Sequence, residues 1–323
     1  MGLAAMAVDG ADWRVLWRVH SPITDAAPLS SSPGPPAPAD SGEGSAGAAV
    51  AGIERRLTDG PHKVVAATGL VKAPFPLPQR LTRSSMHSSE HEAANTRAWT
   101  VYGQHHLRRG TEVADVDRLT WGFWPSGPGA EVLGDLSGRR VLDLGSGLGK
   151  FAAYLVREHN AMVDAVESSP TQHERAVARY GSLPGLNLIH ADAVEHLKQA
   201  EPYDVIYSVH GVAYIDPHRL LPALCNALKP GGRLAFSVLH TNSDGRGPSP
   251  SVAPRREVLP LAGGDPLTVQ IWTLSPTLWE DLLVDNGLLV DRIYVLDAPD
   301  EGNRVSVRLF RAHRRACVSS RRE

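Results

Sequence analysis

The chain has 323 residues and a formal net charge of −2 at pH 7. That is enough for one or two domains, without the overall basic field that would point to nucleic acid. Its two cysteines, Cys225 and Cys317, stand far apart with no CxxC spacing, which argues against a disulfide framework or zinc site and fits a reducing, cytoplasmic setting. No apolar run approaches the roughly 18 to 20 residues that span a bilayer, and Asp9, Asp12, Arg14 and Arg18 do not suit a secretory signal.

In chain order, residues 25–51 are dominated by Ala, Gly, Pro and Ser. Such a stretch cannot bury enough apolar surface to offset its ordering entropy, and residues 1–85 are expected to be a disordered extension. The run "DWRVLWRV" at 12–19 could pair as a short strand or helix, but nothing nearby completes it. Two readings stay open: a physiological start at Met86, or a real disordered tail. From Ser88 a helix is expected, because a serine precedes acidic residues and helical spacing. Residues 86–138 are read as a helical cap that helps to bind the acceptor, with Trp99, Tyr102, His105, His106, Trp121 and Trp124 as its notable side chains. Trp121 and Trp124 also suit packing of the cap against a sheet. Adjacent histidines diverge by about 100° on a helix, so His105 and His106 make no metal site, and none is expected elsewhere.

Then a regular alternation begins. Apolar, β-branched runs lie at 140–144, 162–167, 186–190, 203–208, 233–239, 289–296 and 304–311, with helical patterns at 149–158, 171–180, 193–199, 217–228 and 276–286. Strands alternating with helices argue for an α/β, doubly wound, mostly parallel sheet. Only "DAPDEGN" separates the last two runs, too short for a helical crossover, so they should form an antiparallel hairpin at the sheet edge. Residues 241–270 are rich in Gly and Pro and read as a lid inserted into the domain spanning 139–313. The basic end, 314–323, is read as a solvated tail.

The stretch "VLDLGSGLGK" at 141–150 carries Gly145, Gly147 and Gly149 between the first strand and its helix. A helix N-terminus offers free N–H groups, and glycine lets a ligand touch the backbone. The dinucleotide fingerprint is G-x-G-x-x-G, but its third glycine position here holds Lys150. Asp143, two residues before the first glycine, would repel a pyrophosphate and suits a ligand with a positive end. S-adenosylmethionine (SAM) has an ammonium, a sulfonium and no phosphate. Glu167, with Ser168 beside it, ends the second strand, where a carboxylate can take both ribose hydroxyls. Asp192 and the Ala193 N–H follow the third strand, where they can meet an adenine amino group. Asp192 is expected to cap the next helix as well.

The segments "VLDLGSGLGKFAAYL", "VDAVESSP", "HADAVEHL", "YDVIYSVHGVAYI" and "LKPGGRLAFSVLH", in that order, resemble successive motifs of the class I SAM-dependent methyltransferases, from about residue 139 to 312. After the second strand, "SSPTQHERA" resembles a subset of bacterial small-molecule methyltransferases, and residues 102–129 are more similar to actinobacterial members. The resemblance implies a seven-stranded, Rossmann-like sheet with an antiparallel last strand. It implies a structural turn at "LKPGG" and a cap tyrosine, Tyr102, closing over the cofactor. It also implies that the end of the fourth strand faces the reactive methyl. There Ser208 and Val209 would offer backbone to the methionine part. His210 and His240, which follow the fourth and fifth strands, are candidate bases, since an ordinary histidine titrates near pH 6.5. The amino-methyltransferase motif (Asn/Asp-Pro-Pro-aromatic) and the Pro-Cys of pyrimidine C5 chemistry are both absent from the chain.

The reading is therefore a cytoplasmic SAM-dependent methyltransferase transferring to O or N, less readily C, of a small molecule. No nucleic-acid or membrane partner is expected, and a homodimer is left open. Two alternatives stand beside it: an NAD(P)-dependent oxidoreductase, and a SAM-binding protein without methyl-transfer chemistry.

Overall fold

The computed structural model describes residues 84–112 and 114–316, with side chains from residue 90 onward. The low-complexity segment, the 12–19 stretch and the end of the basic tail lie outside the described residues. The elements are α1 (Ser84–Arg108), β1 (Arg140–Leu144), α2 (Lys150–His159), β2 (Met162–Glu167), α3 (Pro170–Tyr180), β3 (Leu186–His190), α4 (Ala193–Gln199) and β4 (Tyr203–Val209). They continue with α5 (Pro217–Ala227), β5 (Leu228–Thr241), β6 (Arg255–Leu259), β7 (Leu267–Ile271), α6 (Pro276–Asp285), β8 (Leu288–Asp297) and β9 (Ser306–Arg314). Single 3-10 turns occupy Ala130–Leu133 and Gly211–Tyr214.

Seven strands form one sheet in the order β3-β2-β1-β4-β5-β9-β8. The first five run parallel, and β9 lies antiparallel between β5 and β8. The last two strands do form the edge hairpin that their short connection requires. β5 starts earlier than its apolar run because Leu228, ahead of the "KPGG" turn, already pairs with Tyr203. The insertion read as residues 241–270 holds a separate two-stranded antiparallel sheet, β6-β7, that ends one residue later at Ile271.

Local chemistry sets the helix starts. Ser169, Asp216 and Ser275 accept backbone N–H bonds at the heads of α3, α5 and α6, each followed by a proline at the first helical position. Beside a small second cluster of Leu148, Ala153 and Tyr180, the main core cluster runs through the sheet, with Leu142, Leu144, Ile206, Tyr207, Phe236 and Phe310 buried. Trp121 joins it, edge-on to Tyr207 at 6.3 Å and donating Nε1–H to the Gly129 carbonyl. The aromatics of 121–124 thus pin the irregular part of the cap to the sheet. Among the described residues, no helix is long and apolar enough to cross a membrane.

Candidate functional site

A cleft opens at the C-terminal ends of β1, β2, β3 and β4, where the strand order reverses between β1 and β4. Open α/β sheets bind ligands at such a switch point. Gly145, Gly147, Glu167, Ser168, Asp192, Ala193, Val209 and His210 all line it. The loop after β1 needs its glycines: Gly145, Gly147 and Gly149 have φ of 73°, 55° and 70°, the left-handed region that a Cβ disfavours. Gly145 also lies against Gly211 from the turn after β4. A Cβ on Gly211 would come 2.5 Å from the Leu144 carbonyl oxygen and 3.2 Å from Gly145 Cα.

Glu167 joins the end of β2 to this loop. Its Oε2 accepts from the Gly147 N–H at 2.9 Å and its Oε1 from the Ser169 N–H at 2.7 Å. Burial raises its pKa, against the pull of the Ser169, Gly147 and Ser168 N–H groups and the charge of His190. Asp192 caps α4, with Oδ1 accepting from Val194 and Glu195 N–H at 2.9 and 3.0 Å.

Other sequence-derived candidates sit elsewhere. Asp143 is buried beneath the loop and accepts the Tyr207 hydroxyl at 2.7 Å. Burial raises its pKa to about 7; the Tyr207 bond lowers it and the neighbouring Glu167 charge raises it. Gly149 turns inward, where a Cβ would press on Leu188 and Ala176. Ser208 is fully buried, donating to the Leu144 carbonyl at 2.6 Å and accepting from Val212 N–H at 3.1 Å. Tyr102 is buried against Trp99 and His106. His240, half-buried and 2.9 Å from the Thr241 hydroxyl, lines neither the cleft nor the pocket next to it. Burial, then the charge of Arg308, lowers its pKa to about 4.

His210 stands apart from these. It adopts φ 65°, uncommon for a non-glycine residue and a form of strain that clusters at functional sites. Its N–H bonds the Ser237 carbonyl at 3.0 Å, its ring stacks on Phe123 at 4.4 Å, and its buried Nε2 has no partner. Burial lowers its pKa to about 3, so the imidazole is neutral at physiological pH. It lines the cleft on one side and a smaller pocket on the other, shared with Tyr214.

Sequence reasoning missed several lining residues. Glu92, Asn95 and Thr96 reach the cleft from α1, on the same helix face as Trp99, which the sequence marks as a cap residue. That face is mostly polar, so an apolar-periodicity search passes over it. Gln172 on α3 is buried and lines the cleft with its Nε2 unpartnered. Gly211, Tyr214 and Ile215 come from the turn after β4.

Among the described residues, three carboxylates, Glu92, Glu167 and Asp192, line the cleft, and no lysine or arginine does. The site therefore suits a ligand that carries positive charge and lacks phosphate. Comparison with known proteins agrees. A family described as a methyltransferase domain matches residues 127–291, just over half of the chain. An O-methyltransferase of Aspergillus nomiae is 30% identical over 145 residues, 42% of this chain and 64% of that protein. Methyltransferase GfsG of Streptomyces halstedii is 29% identical over 142 residues, 38% of this chain and 51% of that protein. The chain thus spans less than two thirds of the length of these relatives. The crystal structure of the [4+2]-cyclase SpnF has the same fold, with a TM-score of 0.51 at 13% identity over 70% of this chain and 96% of that one. The fold and cleft define a class I, SAM-binding α/β domain. The chain belongs to the methyltransferase-domain family, and its cofactor is S-adenosylmethionine.

Proposed function

We propose that the protein transfers a methyl group from SAM to an oxygen or nitrogen of a small-molecule acceptor. The observation that carries this reading is His210, held in a left-handed conformation with an unpartnered buried Nε2 between the cofactor cleft and an adjoining apolar pocket. In this reading Glu167 takes the ribose hydroxyls. Asp192 and the Ala193 N–H take the adenine edge. Gly145, Gly147 and Val209 approach the methionine part, with Asp143 supplying negative charge from below. Gln172 donates its free amide hydrogen into the same cleft. When bound, the cofactor supplies an electrophilic methyl on a good leaving group. The protein's part is to orient the acceptor, exclude water and accept its proton. The neutral His210 Nε2 is positioned to accept a hydrogen bond from the acceptor and to draw its proton away, as a weak base because burial disfavours the imidazolium.

The fold alone does not decide the chemistry, since unrelated reactions share it. The test is calorimetric titration of the full chain with SAM, S-adenosylhomocysteine, NAD and NADP. A screen of hydroxyl and amine acceptors with methyl-labelled SAM follows. Micromolar binding of the first two ligands and label transfer to an acceptor are expected. Binding of NAD or NADP instead would defeat the cofactor assignment. An intact SAM site with no transfer to any acceptor would favour a binding protein. With an acceptor found, His210→Asn, which tolerates the left-handed backbone, should lower kcat about 100-fold while SAM affinity holds.

A further inference from the structure

The smaller pocket next to the cleft lies beneath the β6-β7 hairpin. Its walls are apolar: Phe123 from the cap, Leu239 at the end of β5, Val258 from β6, and Val269 and Ile271 from β7. His210 and Tyr214 form the partition with the cofactor cleft. One charged residue, Glu257 of β6, is part of this lining and is 9% exposed. Its charge is already balanced. Arg255 Nε lies 2.8 Å from Oε1, and Asn242 Nδ2 donates to both oxygens at 3.3 and 3.2 Å. A carboxylate offers about four acceptor positions, so these partners do not exhaust it.

The arrangement restricts what can bind. An anionic acceptor would bring an uncompensated charge into an apolar surrounding, because Arg255 is already paired with Glu257. A cationic acceptor would add a charge to a pair that Arg255 already neutralises, and would surrender its hydration without a counter-charge. A neutral donor satisfies both constraints. On the reading proposed above, we infer that Glu257 is a specificity-determining residue. It anchors an uncharged, compact apolar acceptor through a second hydroxyl, while the reacting hydroxyl faces His210 Nε2. β6 places Glu257 inward together with Arg255 and Leu259, so the polar pair belongs to the pocket wall and not to a solvated strand face.

The test applies whatever the natural acceptor is. The full chain, saturated with S-adenosylhomocysteine, is titrated with phenol, catechol, resorcinol, hydroquinone, benzoate and benzylammonium. The three diols differ in the spacing of their hydroxyls. The best diol should bind about tenfold tighter than phenol, the ratio expected of one hydrogen bond to a charged acceptor. Benzoate and benzylammonium should bind more weakly than phenol. In Glu257→Gln the diol advantage should shrink to about twofold or less, with S-adenosylhomocysteine affinity unchanged. The inference is overturned if phenol matches every diol, if an ion binds best, if no phenol binds, or if the diol advantage survives in Glu257→Gln. The wild-type comparison alone decides it should that variant not fold. Failure of the underlying reading has a different signature, because S-adenosylhomocysteine itself would then not bind.

Discussion

Asp143 shows how burial turns an ordinary residue into a pH-dependent one. Its carboxyl has an ordinary pKa of 3.8 and is raised to about 7 under the glycine loop, chiefly because burial disfavours the ion. A raised folded-state pKa means the ligand-free fold binds this proton more tightly than the unfolded chain does. The associated stability is fully present below about pH 4 and is lost as pH rises through about 7, on the order of 4 kcal/mol across the window. Asp143→Asn keeps an acceptor for the Tyr207 hydroxyl and removes the titration. The variant should therefore gain stability over wild type between pH 5 and 8, measured by denaturant unfolding without cofactor; parallel profiles would refute the assignment. SAM affinity should fall in the same variant above pH 7, where the negative charge under the cationic ligand is lost. That acids cluster near the strand ends was legible from their positions in the chain. That Asp143 faces Tyr207, 64 residues later, was not, because only the β1-β4 pairing brings the two together.

At the scale of elements, the contact between α1 and α3 is set by one small residue. A Cβ at Gly103 would lie 2.8 Å from Thr171 Cβ and 3.1 Å from Gln172 Oε1, while Thr171 Oγ1 donates to the Thr100 carbonyl at 2.8 Å. Gly103→Ala improves helix propensity by about 1 kcal/mol, yet overpacking here should cost about 1 to 3 kcal/mol. Net destabilisation is expected, with weaker SAM binding, because Thr96 and Trp99 ride on the same helix and Gln172 on the facing one. Val101→Ala, on the exposed side, should change neither; thermal unfolding and calorimetry of both variants decide it. The seven main-sheet strands were legible because their apolar runs are clean and evenly spaced. The β6-β7 hairpin was not: its inward positions include Arg255 and Glu257, so the alternation that marks a half-buried strand is inverted in polarity. The cleft-facing side of α1 was hidden for a related reason, since its polar residues Glu92 and Asn95 meet polar groups of other elements rather than an apolar core.

Across the whole molecule, α1 connects the two halves of the site. Glu92, Asn95, Thr96 and Trp99 line the cofactor cleft. Glu92 is fixed by Arg219 and by the Asp216 N–H. Asn95 reaches further. Its amide pairs with β7 like a neighbouring strand, donating to the Gln270 carbonyl at 2.7 Å and accepting from the Gln270 N–H at 2.8 Å, and it also donates to the Tyr214 carbonyl at 3.0 Å. β7 in turn supplies Val269 and Ile271 to the second pocket. On the proposed reading, a ligand that orders α1 also orders the wall of the second pocket through one side chain. Saturating S-adenosylhomocysteine should slow hydrogen exchange at the Gln270 and Trp272 amides, the latter bonded to the Ala213 carbonyl. Asn95→Ala leaves three backbone groups without this partner; it should weaken S-adenosylhomocysteine about tenfold and abolish the protection of β7 even at saturation. Coupling of this kind is reciprocal, so an acceptor that tightens cofactor binding in wild type should not do so in the variant. Equal protection of β7 in both proteins would mean that the hairpin is ordered independently of the cofactor, and that α1 serves the cleft alone.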